Sequence, residues 1–534
     1  MKKISYLLAV LVLCAISASA TGISKNKAQT VATSFFQKGL MKANVGEVKF
    51  VKEYASSKDA PAAVFAFSRG ENVVFVSGED KMPAILGYTE NADMDDMPPA
   101  LEAMLQYYAQ LTDAVRAGRI EAPKLYASAE KVDTLLRTAW YQKAPFWDLC
   151  PELDGKKCYN GCASTAFAQI MKYYNWPEKP KGKTPVYTAG KHNLSIPSVD
   201  LESHTYNWDN MLGVYNEGEY TEEQAHEAAQ LCYDLAAAFY MDFDTIGSST
   251  TMVNAGYAMR DYFGYNKDLK IDLADNYTEE EWVAKLKNEL NLGRPLPYSG
   301  TTTDWSGHCF VIDGYNTDGL FHVNWGWRGK HTGYFLITSL DPEVPGIEGE
   351  KSGNGFIVNQ QVLFDLFPDR EGNTTIEGNC VFQYKKCQTR DGKTVFVEAF
   401  TNEGLDPFKG SLIMQLIDEN GKMAAQQTVK KDYYLERAIA DMKLYVPLES
   451  FFDFSTFADG IYHAKLIAVS DANGREYLAH GIEEDYRIRV KDGELRGIFN
   501  GAELEGKILN YEVRMEDEMH IYIKERGKLP ILTI

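Results

Sequence analysis

The chain carries no excess of positive charge: 55 Lys and Arg stand against 75 Asp and Glu, a formal balance of −20 over 534 residues. Nucleic acid is held through phosphate contacts that Lys and Arg must supply, so this balance excludes a nucleic-acid partner. After the first twenty residues no apolar run approaches the ~20 residues that span a bilayer, and no transmembrane segment is expected once a leader is removed. Low-complexity tracts and internal repeats are also missing. With 45% hydrophobic residues, the chain reads as globular. At the usual ~100 to 200 residues per domain it should hold roughly three units.

What is present begins with Lys2 and Lys3, an apolar run from Ile4 to Ile16, and Ala18-Ser19-Ala20. This is the pattern of a secretory signal peptide over residues 1–20, and it predicts a secreted, periplasmic or cell-surface protein. Leu13 before Cys14 is too bulky for a lipid-attachment signal. Loss of the leader removes Cys14 and leaves seven of the eight cysteines. An odd number in an exported protein leaves at least one thiol unpaired.

Along the mature chain, Ala28, Val31, Ala32, Phe35 and Phe36 share a helical face, and two alternating runs around Gly70 predict a hairpin. A second helix starts after Pro98-Pro99, and residues 116–133 are polar, as suits a linker or cleavage site. From Leu135 to about Pro368 the texture is mixed α and β. Helices are expected from Cys162 to Trp176, from Glu222 to Tyr240, and from a capping box at Thr278 and Glu281 to Gly293. The stretch "GHCFVIDGYNTDGLFHVNWGWRGKHTGYFLITSL" predicts three antiparallel strands with a tight turn at 316–319. Beyond residue 369, short alternating segments with Asn-Gly turns predict a β-sandwich.

In "CPELDGKKCYNGCASTAFAQIMKYYNWP", Cys162 follows Gly161 at the head of an apolar helix. Two readings of it stand side by side. It is a small buried hydrophobe, or it is a nucleophile whose thiolate is favoured by the helix N-terminus and a neighbouring imidazolium. His308 heads a strand and is the candidate base, within the ~130 to 150 residues that separate the two groups in papain-like proteases. A two-residue loop in the following hairpin would put Trp327 opposite His308 and Trp325 diagonal to it. A three-residue loop would flip the parity and put Asn324 on that face. His322 and His331 read as ordinary strand or loop residues. Cys150 with Cys158, and Cys380 with Cys387, could close short loops. No second ligand pair supports a zinc site, and Cys309 reads as core.

Together "WYQKAPFWDLCP", "GCASTAFAQIMKYYNWP", "GHCFVIDGYN" and "HVNWGW" resemble the streptopain family of secreted papain-like cysteine proteases. "VVFVSGEDKMPAILGYTENADMDDMPP" resembles that family's inhibitory prodomain. The resemblance covers roughly residues 25–368. It implies Cys162 as nucleophile, His308 as general base and acid, and Gln142 as a side-chain donor to the oxyanion beside the Cys162 N–H. It also implies Trp325 as the residue orienting His308, with Trp327 as its aromatic neighbour and Asn324 in reserve. Such chemistry needs no metal or organic cofactor.

The expected fold is α+β. A signal peptide (1–20) and a small α+β inhibitory prodomain (21–130) precede a papain-like catalytic domain (131–368) and a β-sandwich-like C-terminal domain (369–534). The expected function is a secreted cysteine endopeptidase made as a zymogen, acting on protein or peptide substrates and inhibited by its own prodomain. A papain-fold acyltransferase and a surface-binding protein dominated by its C-terminal domain are the alternatives. Cleft walls are expected at residues 247–252 and 298–306.

Overall fold

A computed structural model describes residues 22–39, 41, 46–301, 307–337, 358–376, 378–384, 386–388, 393–437, 440–481, 486–500, 511–517 and 520–525. The expected leader lies outside these residues.

In the N-terminal unit, helix α1 (Lys25–Gln37) starts at Ser24, whose hydroxyl accepts the Lys27 N–H, and it buries Ala28, Ala32 and Phe35. Strands β1 (Lys49–Tyr54), β2 (Val64–Arg69), β3 (Asn72–Ser77) and β4 (Ile85–Thr89) follow, then helix α2 (Pro99–Arg116) with proline at its first turn. The 116–133 segment is fastened to the rest of the chain at its far end. Ser128 N–H donates to the Thr317 carbonyl at 3.1 Å, and Val132 bridges Tyr315.

The central region supplies helices α3 (Cys162–Tyr174), α4 (Glu222–Ala238), α5 (Met252–Asp261) and α6 (Glu279–Asn291). Capping boxes at Thr221/Gln224 and Thr278/Glu281 start α4 and α6. Asn175, in the left-handed conformation, stops α3 before Trp176. Helix α4 ends two residues short of the expected Tyr240, which stands at φ 53° and cannot continue a right-handed helix.

Six strands accompany these helices: β5 (Lys270–Leu273), β6 (Leu296–Thr301), β7 (Gly307–Tyr315), β8 (Phe321–Asn324), β9 (Gly333–Phe335) and β10 (Val358–Phe364). They join the N-terminal strands in one ten-stranded sheet of order β1-β2-β3-β4-β9-β8-β7-β6-β10-β5. The seam pairs Thr89 with Gly333, Tyr88 with Tyr334 and Gly87 with Phe335. Glycine is required there by close approach: a Cβ on Gly333 would sit 2.1 Å from the Tyr88 carbonyl oxygen.

The β7–β8 hairpin uses both devices that set register. Asn316 N–H donates to the Leu320 carbonyl at 2.9 Å around a three-residue loop, Thr317 to Gly319. A bulge at Asp313 then shifts the pairing once more, so that Val311 lies opposite Asn324. The tight two-residue loop is not formed, yet the register beyond the bulge is the one such a loop would have set.

The C-terminal region forms a second ten-stranded sheet built on the long strands Phe408–Asp418, Met423–Leu435 and Gly460–Ser470. Alternate residues such as Leu412, Met414 and Leu416 meet Val395 and Val397 in one core, the packing of a β-sandwich. The whole is α+β, with a mixed α and β central region between a small α+β unit and this β-sandwich-like one.

Cys150, Cys158 and Cys380 are separate buried thiols, so the short-loop disulfides suggested for them are not formed. Cys150 and Cys158 pack in an apolar cluster with Ile196, Met241 and Phe243. The side chain of Cys387 lies outside the described residues.

Candidate active site

Helix α3 starts at Cys162 because Gly161 turns the chain sharply into it at φ 89°, a conformation that L side chains avoid. A Cβ at Gly161 would also approach the Met241 methyl to 2.7 Å. The Cys162 sulfur therefore sits at the helix N-terminus, where it accepts the backbone N–H of Cys309 at 3.3 Å. Burial pushes the thiol pKa up, against the opposing pull of the N–H groups of Cys309, Ala163 and Cys162. His308 stands next to Cys309 near the start of β7, and burial lowers its pKa to about 4.

Cys162 and His308 line one cleft of about 230 Å³. Its walls include Ser248–Val253 from the loop into α5, and Ser299 and Gly300 of β6. Both expected wall segments thus contribute, although residues 302–306 lie outside the described ones. Gln361 of β10 and Glu403 of the C-terminal sandwich also line the cleft. The sequence reading missed both. Glu403 lies beyond the last of the quoted motifs and outside the span of the resemblance, and no local pattern marks it.

Gln142 is half-buried on the loop that follows Tyr141. The Tyr141 carbonyl accepts the Thr165 hydroxyl at 3.4 Å, which sets this loop against the first turn of α3. Gln142 is not among the residues lining the cleft. Asn324 points elsewhere: its amide nitrogen donates to the Thr138 carbonyl at 2.9 Å and to Gln169 Oε1 at 3.1 Å. Trp325 is buried, its ring centroid 4.9 Å from Phe310, and its indole N–H donates to the His331 carbonyl at 3.0 Å. Alternation along β7 puts Phe310 on the face of His308. Trp327 packs edge-on against Tyr141 at 4.9 Å.

The N-terminal unit grips the loop that carries these tryptophans. The Trp327 indole donates to Asp96 at 3.3 Å, and Lys330 pairs with Asp93 at 3.0 Å and Asp96 at 2.8 Å. Lys330 holds both carboxyls below the usual range. His331, read from sequence as an ordinary loop residue, is fully buried here, with Nε2 2.7 Å from the Asp93 carbonyl oxygen. Burial lowers its pKa. The Tyr108 hydroxyl of α2 donates to the Leu336 carbonyl at 2.5 Å.

Residues 140–335 match the peptidase C10 family, and residues 20–112 match the Spi protease inhibitor. The chain belongs to the peptidase C10 (streptopain) family. A family-type inhibitory prodomain precedes its papain-like protease region. The chain is 31% identical over 396 residues to thiol protease/hemagglutinin PrtT of Porphyromonas gingivalis, covering 69% of this chain and 44% of that protein. It therefore spans less than half the length of that C10 relative. Streptopain of Streptococcus pyogenes is 29% identical over 314 residues, 55% of this chain and 78% of streptopain. Among solved structures, a fragment of Prevotella intermedia prointerpain A superposes with a TM-score of 0.52 at 28% identity. That match covers 61% of this chain and 100% of the fragment. Among the described residues no helix is long and apolar enough to cross a membrane, and no group of His, Cys, Asp or Glu is arranged to hold a metal ion.

Proposed function

We propose that this chain is an exported cysteine endopeptidase made as a zymogen, with residues 1–20 as its signal peptide and residues 21–130 as the inhibitory unit. The observation that carries the reading is the shared cleft of Cys162, at a helix N-terminus, and His308, within the segment that matches peptidase C10. In the active form His308 takes the Cys162 proton, and the thiolate attacks the peptide carbonyl carbon. Electrons move onto the carbonyl oxygen, which the Cys162 N–H and the Gln142 amide stabilise. The intermediate collapses as His308 returns the proton to the departing amine, and water then hydrolyses the thioester with His308 again as base. Trp325 orients His308 from the Phe310 face of the sheet.

The test is to purify the chain without its leader under mild reductant and to follow self-processing and casein cleavage beside Cys162→Ala. Wild type should do both, and the alanine variant neither. Gln142→Ala should lower kcat by roughly 10² to 10³, the typical effect of losing one oxyanion donor. Hydrolysis that survives Cys162→Ala would overturn the nucleophile assignment. A wild type that stays inert after the N-terminal unit is cut away would overturn the protease reading.

A further inference from the structure

The cleft is not built from the papain-like region alone. Glu403 belongs to the turn between strands Thr394–Asn402 and Phe408–Asp418 of the C-terminal sandwich, and it lines the same cleft as Cys162 and His308. We propose that the sandwich supplies one wall of the substrate cleft and that the Glu403 carboxylate forms a subsite for a Lys or Arg side chain of the protein substrate. This deepens the endopeptidase reading and rests on it.

The first support is rigidity. Asn402 is fully buried; its side-chain oxygen accepts the N–H groups of Gly404 at 3.1 Å and Val381 at 3.3 Å, and its amide donates to the Asp406 carbonyl at 2.8 Å. Glu403's own N–H donates to the Val381 carbonyl at 2.7 Å. A Cβ on Gly404 would lie 2.2 Å from the Asn379 carbonyl oxygen, so only glycine lets the turn close there. The turn is also anchored to the papain-like region. Leu405 is fully buried in that region's core against Gly256 of α5, and Asp406 pairs with Arg260 of the same helix at 2.9 Å. Helix α5 itself forms part of the cleft wall. Glu403 is thereby held between two anchors, and its backbone position relative to the cleft is fixed.

The second support is charge. Among the described residues that line the cleft, Glu403 is the only carboxylate, and neither Lys nor Arg accompanies it. Its polar neighbours there, such as Ser249, Thr250, Ser299 and Gln361, are neutral. No cation pairs with Glu403 among the described residues. A carboxylate in a partly dehydrated cleft gains most from a cation brought by the ligand, because charge-assisted hydrogen bonds are roughly twice as strong as neutral ones. The formal charge of −20 draws basic substrates from a distance in the same sense.

The experiment compares processed wild type, Glu403→Gln and Glu403→Lys. Sites cut in casein are mapped by mass spectrometry, and kcat/KM is measured on paired peptides that differ only in Lys against norleucine at the enriched position. Wild type should enrich Lys and Arg at one fixed position relative to the cut bond. Glu403→Gln should lose about tenfold or more in kcat/KM on the Lys peptide, mainly through KM, and keep its rate on the norleucine peptide. Glu403→Lys should reverse the preference toward Glu. Iodoacetamide labelling of Cys162 should be equal in all three, which separates a lost subsite from a misfolded site. A wild type that cleaves without cationic preference, or a Glu403→Gln enzyme that keeps it, overturns the subsite while leaving the protease intact. Failure of wild type to cleave any peptide overturns both.

Discussion

At the residue scale, Cys162 and His308 share a cleft whose burial works against charge on either group. Desolvation disfavours both charged species, so it pushes the thiol up and draws the imidazole down to about 4. A thiolate–imidazolium pair would need the opposite shifts. In the chain that retains its N-terminal unit, Cys162 should react with iodoacetamide only as pH rises past the ordinary thiol range near 8.5. After processing, the reactive fraction should appear near neutral pH or below. Labelling measured against pH, with Cys162→Ala as background for the other thiols, checks this; identical profiles before and after processing would refute it. The same shift bears on stability. A depressed imidazole stabilises the fold above its unfolded pKa near 6.5, and that contribution is lost as pH falls from there toward about 4.

At the scale of elements, the seam between β4 and β9 makes the N-terminal unit part of the sheet that carries His308. Gly333→Ala would force a Cβ against the Tyr88 carbonyl, and neither backbone can move without breaking the ladder. We expect the unprocessed chain to lose about 1–3 kcal/mol and to self-process faster than wild type, with denaturant titration and a processing time course as the readouts. Unchanged processing would show that the seam does not hold the unit in place. Elements whose signals are local were legible in the sequence: the Thr278 capping box, the Gly70 hairpin and the helix headed by Cys162 are all where the pattern put them. The register of β7 on β8 was not, because it depends on the bulge at Asp313. That fully buried carboxylate accepts the Leu136 N–H at 2.8 Å and meets His322 Nδ1 at 2.5 Å, partners that spacing along one strand cannot reveal. His331 and Glu403 escaped for the same reason. Each takes its meaning from a unit distant in sequence.

At the scale of the whole molecule, the question is whether the sandwich is an appendage or part of the enzyme's fold. The contact that decides it is Leu405, fully buried among residues of the papain-like core and set against Gly256 with no room for an added methyl. Arg260 is itself almost wholly buried, and its ion pair with Asp406 lies beside that contact. If the two regions share a core, truncating a side chain of one should weaken the other. Leu405→Ala should cost about 2–5 kcal/mol, as for other buried leucines, and the loss should appear in the unfolding of the papain-like region. The measurement follows thermal loss of Cys162-dependent casein cleavage in processed enzyme, beside Leu412→Ala, which truncates a residue buried only in the sandwich core. Leu405→Ala should lower the inactivation temperature even where the sandwich stays folded. If only Leu412→Ala does so, the papain-like region draws its stability elsewhere, and Leu405 merely rests in it.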